Sequence, residues 1–164
     1  MLLAGSCYCG KVKFNLESRT PYPYMHCYCS ICRKTAGGSG YAINIMGEAK
    51  TLKIKGKQHL KMFHAIIDDE KRPLRKVKSP GRRYFCRQCG SALWVFDPRW
   101  PEWVYPFASA IDTRLPKPPA RNHVMLNYKV PWVSVARGKR DSRFGEWPKE
   151  AIIDWHRKRN LLAR

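Results

Sequence analysis

The chain has 164 residues, close to the ~150 of an average compact domain, and 44% of them are apolar, enough to build a real core and too many for a disordered tail. Thirty-two Lys and Arg stand against 12 Asp and Glu, a formal charge of +20. No apolar run reaches the ~20 residues of a membrane helix, and the start, MLLAGSCYCG, lacks the basic and apolar regions of a secretory signal. A single domain over residues 1–164, cytoplasmic and with no membrane partner, is the expectation.

In chain order the segments read as mostly β. Residues 11–16 alternate polar and apolar, the period of a half-buried strand. Residues 34–40, with Gly37 and Gly38, read as a turn or helical cap. Strand-favouring stretches follow at 41–46, 51–55 and 60–66, punctuated by Gly47 and Gly56. Residues 83–86 lead into a cysteine pair and 91–96 leave it as another strand. Segments 103–111 and 123–135 continue the meander across a proline-rich loop at 115–119. The predicted helix lies near the C-terminus, about 148–162. Pro148 suits its first turn, Ile152, Trp155, Leu161 and Leu162 supply an apolar stripe, and Arg157, Lys158 and Arg159 load its last turns.

Seven cysteines carry the chemistry: Cys7, Cys9, Cys27, Cys29, Cys32, Cys86 and Cys89. An odd count without an export signal argues against a disulfide framework. Clusters at spacings of two and three are metal-ligand spacing, and soft thiolates select zinc or iron–sulfur chemistry; ferredoxin spacings are absent, which favours zinc. A structural zinc takes four protein ligands, whereas a catalytic one takes three and keeps a position open. Cys7 and Cys9 before Gly10 form one half-site, and Cys86 and Cys89 before Gly90 form another. Together they make a four-cysteine structural centre and leave Cys27, Cys29 and Cys32 as a three-ligand centre. His26 could close that second centre, but adjacent residues of an extended chain face opposite ways. A redox role for either C-x-x-C pair lacks the βαβ context it needs.

The runs Gly5-Ser6-Cys7-Tyr8-Cys9-Gly10, Cys27-Tyr28-Cys29-Ser30-Ile31-Cys32-Arg33 and Arg83-Tyr84-Phe85-Cys86-Arg87-Gln88-Cys89-Gly90-Ser91, with Asp154-Trp155-His156-Arg157 near the end, resemble the glutathione-dependent formaldehyde-activating enzyme family, also called the centromere protein V domain family. The resemblance runs from Gly5 to Leu162. It implies a mainly β fold, a β-tent of coiled antiparallel sheets with a C-terminal helix. It also implies two zinc ions per chain, one on Cys7, Cys9, Cys86 and Cys89 and an active-site ion on Cys27, Cys29 and Cys32. The implied activity joins glutathione to formaldehyde, or cleaves such an adduct, as a carbon–sulfur lyase. Tyr28 departs from the histidine that many members carry there.

The residues support the same chemistry. An open zinc position polarises a carbonyl or binds a thiolate, and a centre with three thiolates favours a soft, thiol-type fourth ligand. The expected partners are a small-molecule thiol and an aldehyde. Arg33, directly after the triplet, is a candidate anchor for a substrate carboxylate. His59, His64 and His123 have no evident companions, His156 reads as a surface or capping residue, and Trp94 or Trp103 could wall the pocket. Basic residues recur along 50–61, 71–83 and 137–164. The alternative reading is therefore a non-catalytic, zinc-stabilised basic module, binding nucleic acid through its phosphates.

Overall fold

In a computed structural model the protein is described over residues 1–69 and 72–163. Glu70 of the acidic trio 68–70, and Lys71 and Arg164 of the basic runs, lie outside the described residues. The strands are β1 (Leu2–Ser6), β2 (Lys13–Glu17), β3 (Met25–Cys27), β4 (Ala42–Ile43), β5 (Gly47–Glu48), β6 (Lys53–Lys55), β7 (Leu60–Asp69), β8 (Arg72–Cys86), β9 (Ala92–Phe96), β10 (Trp103–Pro106), β11 (Asn122–Val124) and β12 (Ser142–Arg143). Two helices, α1 (Ser30–Ala36) and α2 (Ile152–Arg157), complete the fold. The mainly β class is as expected from the pattern.

Three sheets position everything else. The first has the order β1-β2-β6 and the second β5-β10-β9-β8-β7, both antiparallel throughout. The third runs β12-β11-β3-β4; only β3 and β4 are antiparallel in it, while β11 lies parallel to both β3 and β12. In the first sheet Gly5 pairs with Phe14. A Cβ at Gly5 would come within 2.4 Å of both the Phe14 ring and the Ala110 carbonyl, so glycine is required there.

Two apolar cores result. Leu3, Val12, Phe14, Leu16, Ile45, Leu93, Trp94 and Val104 fill the first, with Cys7 and Cys86 among them. Trp94 is buried there, edge-on to Phe14 at 5.0 Å and stacked on Tyr84 at 5.3 Å, so it is a core residue rather than a pocket wall. Tyr24, Met25, Phe107, Val124 and Trp155 fill the second, with Cys27 and Cys32. Trp155 is wholly buried and stacks on Tyr24 at 3.7 Å. Strand β9 serves both cores: Leu93 and Trp94 belong to the first, and Ala92 and Val95 pack against the second.

Several boundaries differ from the sequence pattern. Helix α2 is six residues long rather than the fifteen of 148–162. Asn160 adopts a left-handed conformation (φ 55°) and the Leu161 amide bonds back to the His156 carbonyl, which turns the chain away. Its first residue follows Ala151, so Pro148 lies outside it. Of residues 34–40, the first three end helix α1 and Gly37 to Gly40 form the expected turn after it; the start of α1 is capped by a cysteine and is therefore invisible to the usual Ser/Thr/Asp/Asn signal. The 103–111 strand stops at Pro106 and passes into a 3₁₀ turn, Ala108–Ala110. The 123–135 stretch holds only β11, because Met125 turns left-handed at φ 61°. Strands β3 and β12 carry no strand signal in the sequence, since each is two or three residues long and pairs with β11 from a distant part of the chain.

Candidate metal centres

The first centre is built from two similar knuckles. Strand β1 delivers Cys7, and the chain turns back at Gly10 with φ 70°, bonding the Gly10 amide to the Cys7 carbonyl at 2.9 Å. Strand β8 delivers Cys86, and Gly90 at φ 73° makes the matching bond to the Cys86 carbonyl at 2.8 Å. Both glycines sit in backbone conformations that other residues adopt only with strain. The Tyr8 amide donates to the Ser91 hydroxyl at 3.1 Å, tying one knuckle to the other.

The Sγ atoms of Cys7, Cys9, Cys86 and Cys89 all lie within 4.8 Å of one another. Cys7 and Cys9 are 3.5 Å apart and Cys9 and Cys86 are 3.8 Å apart. A tetrahedron with metal–sulfur bonds of about 2.3 Å has edges of about 3.8 Å, so the four sulfurs fit a metal ion, and all seven cysteines are free thiols. The Ser91 hydroxyl, 3.2 Å from Cys89, is the main cause of that thiol's fall to about 6. Cys86 is wholly buried, whereas Cys9 is exposed.

The second centre gathers Cys27 from the end of β3, Cys29 from the cap of α1 and Cys32 from its first turn, again with all sulfurs within 4.8 Å. The Cys29 sulfur accepts from the Cys32 amide at 3.3 Å, so one atom both caps the helix and faces its neighbours. Donation from the Cys27 and Cys32 thiols pulls Cys29 down to about 2, and the same sharing pushes Cys27 far above the ordinary thiol range. Three sulfurs this close, two of them buried, cannot all ionise together without a cation, which is the physical sense in which the set fits one. The two clusters therefore could bind metal ions, and their donors suit zinc.

Among the described residues, no His, Asp or Glu joins the triplet. His26 instead stacks on Tyr41 at 4.6 Å and meets His123 edge-on at 5.3 Å. Tyr28, between two of the sulfur donors, is buried and points toward His123, its hydroxyl 2.9 Å from Nδ1. Burial drives the Tyr28 hydroxyl up to about 12 and the His123 imidazole down, so both are neutral near pH 7. His123 Nε2 lies 3.6 Å from an Asp141 carboxylate oxygen. Burial of that carboxylate is outweighed by the Arg121 and Gly138 amides it accepts at 2.8 and 3.0 Å, which hold it below the usual range. Nε2 itself is buried without a hydrogen-bond partner, facing that carboxylate, while Nδ1 and the Tyr28 hydroxyl share one hydrogen bond. His123 thus has companions, 95 and 18 residues away in sequence, that no local pattern announces.

The remaining candidates sort as follows. Arg33 follows Cys29 by one helical turn, and its Nε is buried with no hydrogen-bond partner. Arg83 brings Nη2 to 3.9 Å from the Cys32 sulfur across 51 residues of chain, and its Nη1 is likewise buried and unpartnered. His156 is wholly buried, its Nδ1 donating to the Ile152 carbonyl at 2.8 Å, which corrects the surface reading. Trp103 pairs with Glu48 of the edge strand β5.

A β protein with two clustered thiolate centres, one of four sulfurs and one of three, is the class that fold and geometry define. The sequence profile described as glutathione-dependent formaldehyde-activating enzyme matches residues 2–125, about three-quarters of the chain. A protein of Halomonas elongata, named as a candidate glutathione-dependent formaldehyde-activating enzyme, is 53% identical over 161 residues, covering 98% of each chain. A crystal structure of a Rhodobacter sphaeroides protein matches with a TM-score of 0.50 at 23% identity, over 71% of this chain and 92% of that one, a likeness of fold. The chain belongs to the glutathione-dependent formaldehyde-activating enzyme family. No helix among the described residues is long and apolar enough to cross a membrane.

Proposed function

We propose that the protein is a two-zinc, carbon–sulfur lyase-type enzyme that joins a thiol such as glutathione to formaldehyde or a related aldehyde, or cleaves that adduct, in the cytoplasm. The observation that carries this is the count of donors: three sulfurs gathered with no fourth protein ligand among the described residues, beside a four-sulfur set that needs none. Cys7, Cys9, Cys86 and Cys89 hold the structural ion. Cys27, Cys29 and Cys32 hold the second, which supplies Lewis acidity and lowers the proton affinity of a thiol presented to it.

The protein's own groups do the rest. Tyr28, hydrogen-bonded to His123, holds the segment between Cys27 and Cys29 in one conformation, as partners behind a metal ligand commonly do. Tyr28 and its bond to His123 fill the place where many family members have a histidine, so proton movement at the substrate falls to solvent or to the thiol itself. Arg33 takes a carboxylate of the thiol through its unpartnered Nε–H. Two features support the reading from outside the site: the family profile and the name of the Halomonas relative.

The deciding experiment is metal analysis joined to product detection. Two zinc per chain, one removed by chelator more readily than the other, together with accelerated formation of S-hydroxymethylglutathione followed by NMR, is the expected result. Full saturation of both centres by protein ligands in an X-ray absorption spectrum, with no acceleration, would leave the protein a scaffold.

A further inference from the structure

Strand β8 reaches both centres. Its last residue, Cys86, belongs to the four-sulfur set, and Arg83, three residues earlier, reaches across to Cys32 of the triplet. The pleat makes this possible. Tyr84 turns to Trp94 and the first core, while Arg83 lies opposite Val95, which packs against the second.

We propose that Arg83 is a catalytic residue, the donor that stabilises the oxyanion formed when a thiol adds to the aldehyde; this rests on the thiol–aldehyde reading above. Three observations carry it. The Arg83 guanidinium donates to the Cys32 sulfur at 3.9 Å, and that contact places it beside the triplet. Its Nη1, on the same rigid fork, is buried with no acceptor and no carboxylate among the described residues pairs with it. A buried N–H left without an acceptor is costly and calls for one when the site is filled. The charge count agrees. Three thiolates and a divalent cation total −1, an added substrate thiolate makes −2, and the guanidiniums of Arg83 and Arg33 offset it.

Reach selects the acceptor. A guanidinium beside a ligand sulfur suits an atom close to the substrate's own sulfur. The oxygen of a thiol–aldehyde adduct is two bonds from that sulfur, whereas the carboxylates of a tripeptide thiol lie several bonds further. In the step itself, a lone pair of the thiolate sulfur forms the C–S bond and the carbonyl π pair moves onto oxygen. The alkoxide accepts from Arg83 Nη1–H and then takes a proton from water. Cleavage runs the same path backwards, with the alkoxide collapsing to the aldehyde and expelling the thiolate. The arrangement also gives the four-sulfur centre a role in the chemistry, since it anchors the end of the strand that carries Arg83.

Arg83→Gln and Arg83→Lys test this, read by zinc content, by calorimetric affinity for glutathione, and by kcat and KM for glutathione and formaldehyde. The expectation is two zinc retained, glutathione affinity changed less than about threefold, and kcat lowered about 100-fold in Arg83→Gln, the size seen when one oxyanion donor is removed. Arg83→Lys keeps the charge without the fork and should recover about tenfold of that loss. Loss of one zinc would make Arg83 a support for the Cys32 thiolate and overturn the proposal. So would a raised KM with unchanged kcat, the mark of a carboxylate anchor. Should Arg83→Gln fail to fold, unchanged kcat in Arg83→Lys overturns it alone. A wild-type protein that does not accelerate adduct formation removes the thiol–aldehyde reading and this role together, whereas an active wild type matched by an active Arg83→Gln removes only the role.

Discussion

The two sulfur centres differ in how the chain builds them, and the difference is what the separate roles proposed for them rest on. The four-sulfur centre joins two knuckles from strands 77 residues apart in their nearest donors, Cys9 and Cys86, and sits against the first core. With a metal ion bound it would cross-link distant parts of the chain, since its four sulfurs offer the closed shell that a structural ion needs. The triplet draws all its sulfurs from six consecutive residues and needs no distant chain to assemble. What comes to it from afar is not sulfur but a guanidinium, from Arg83, and the His123 ring that Tyr28 bonds, with Asp141 beyond it. Local ligands with imported charge make a place for an outside molecule; imported ligands make a rivet.

That contrast predicts unequal responses to the same substitution. Cys86→Ser should cost about 4 kcal/mol or more of stability, as loss of a structural metal does, and thermal melts followed by circular dichroism would register it. Cys29→Ser should leave the melt within a few degrees and abolish turnover. Equal destabilisation by the two would erase the distinction between the centres.

Next in size is Trp155→Ala, which removes a wholly buried ring stacked on Tyr24 in the core that backs the triplet. A loss of about 3–5 kcal/mol in denaturant unfolding is expected. If zinc retention at the triplet survives it, the local spacing of the cysteines suffices to hold the ion. Tyr28→Phe is milder. It strips the hydrogen bond to His123 and leaves a buried Nδ1 without a partner, costing about 1–3 kcal/mol, with zinc content unchanged by mass spectrometry. Loss of one zinc in this variant would mean that the support behind the triplet is part of the binding site itself.

The smallest effect is in pH. His123 and His156 are held below the ordinary histidine value of 6.5, in each case chiefly by burial. A depressed histidine contributes stability above its unfolded value and loses it as the pH falls, because the unfolded chain takes up protons first. Denaturation midpoints should therefore fall as the pH drops below about 6.5, and His156→Gln should flatten that slope. A midpoint independent of pH between 6.5 and 5 would contradict their burial.

Much of this was legible in the chain. The seven cysteines and their spacings divide into four and three by ligand arithmetic alone, because each half-site is a few residues long and its turn is marked by Gly10 or Gly90. The alternation at residues 11–16 and the strand-favouring run at 91–96 placed strands β2 and β9 to within two residues. Helix α2 was visible but overextended, since propensity carries past Asn160 while the actual turn there depends on the Leu161-to-His156 bond. Helix α1 was missed because a thiol, not a hydroxyl or carboxylate, caps it.

Residue identity and short spacing thus determined the donors, their grouping and the strand-rich class, since sulfur ligation and side-chain alternation act over a handful of residues. Which charges face those donors was decided only by the folded chain: Arg83 meets Cys32, and His123 meets Tyr28, through strand pairings whose register is set by two apolar cores rather than by any neighbouring residue. Contacts of that range have no local signature, because burial and pairing select them together from a whole fold.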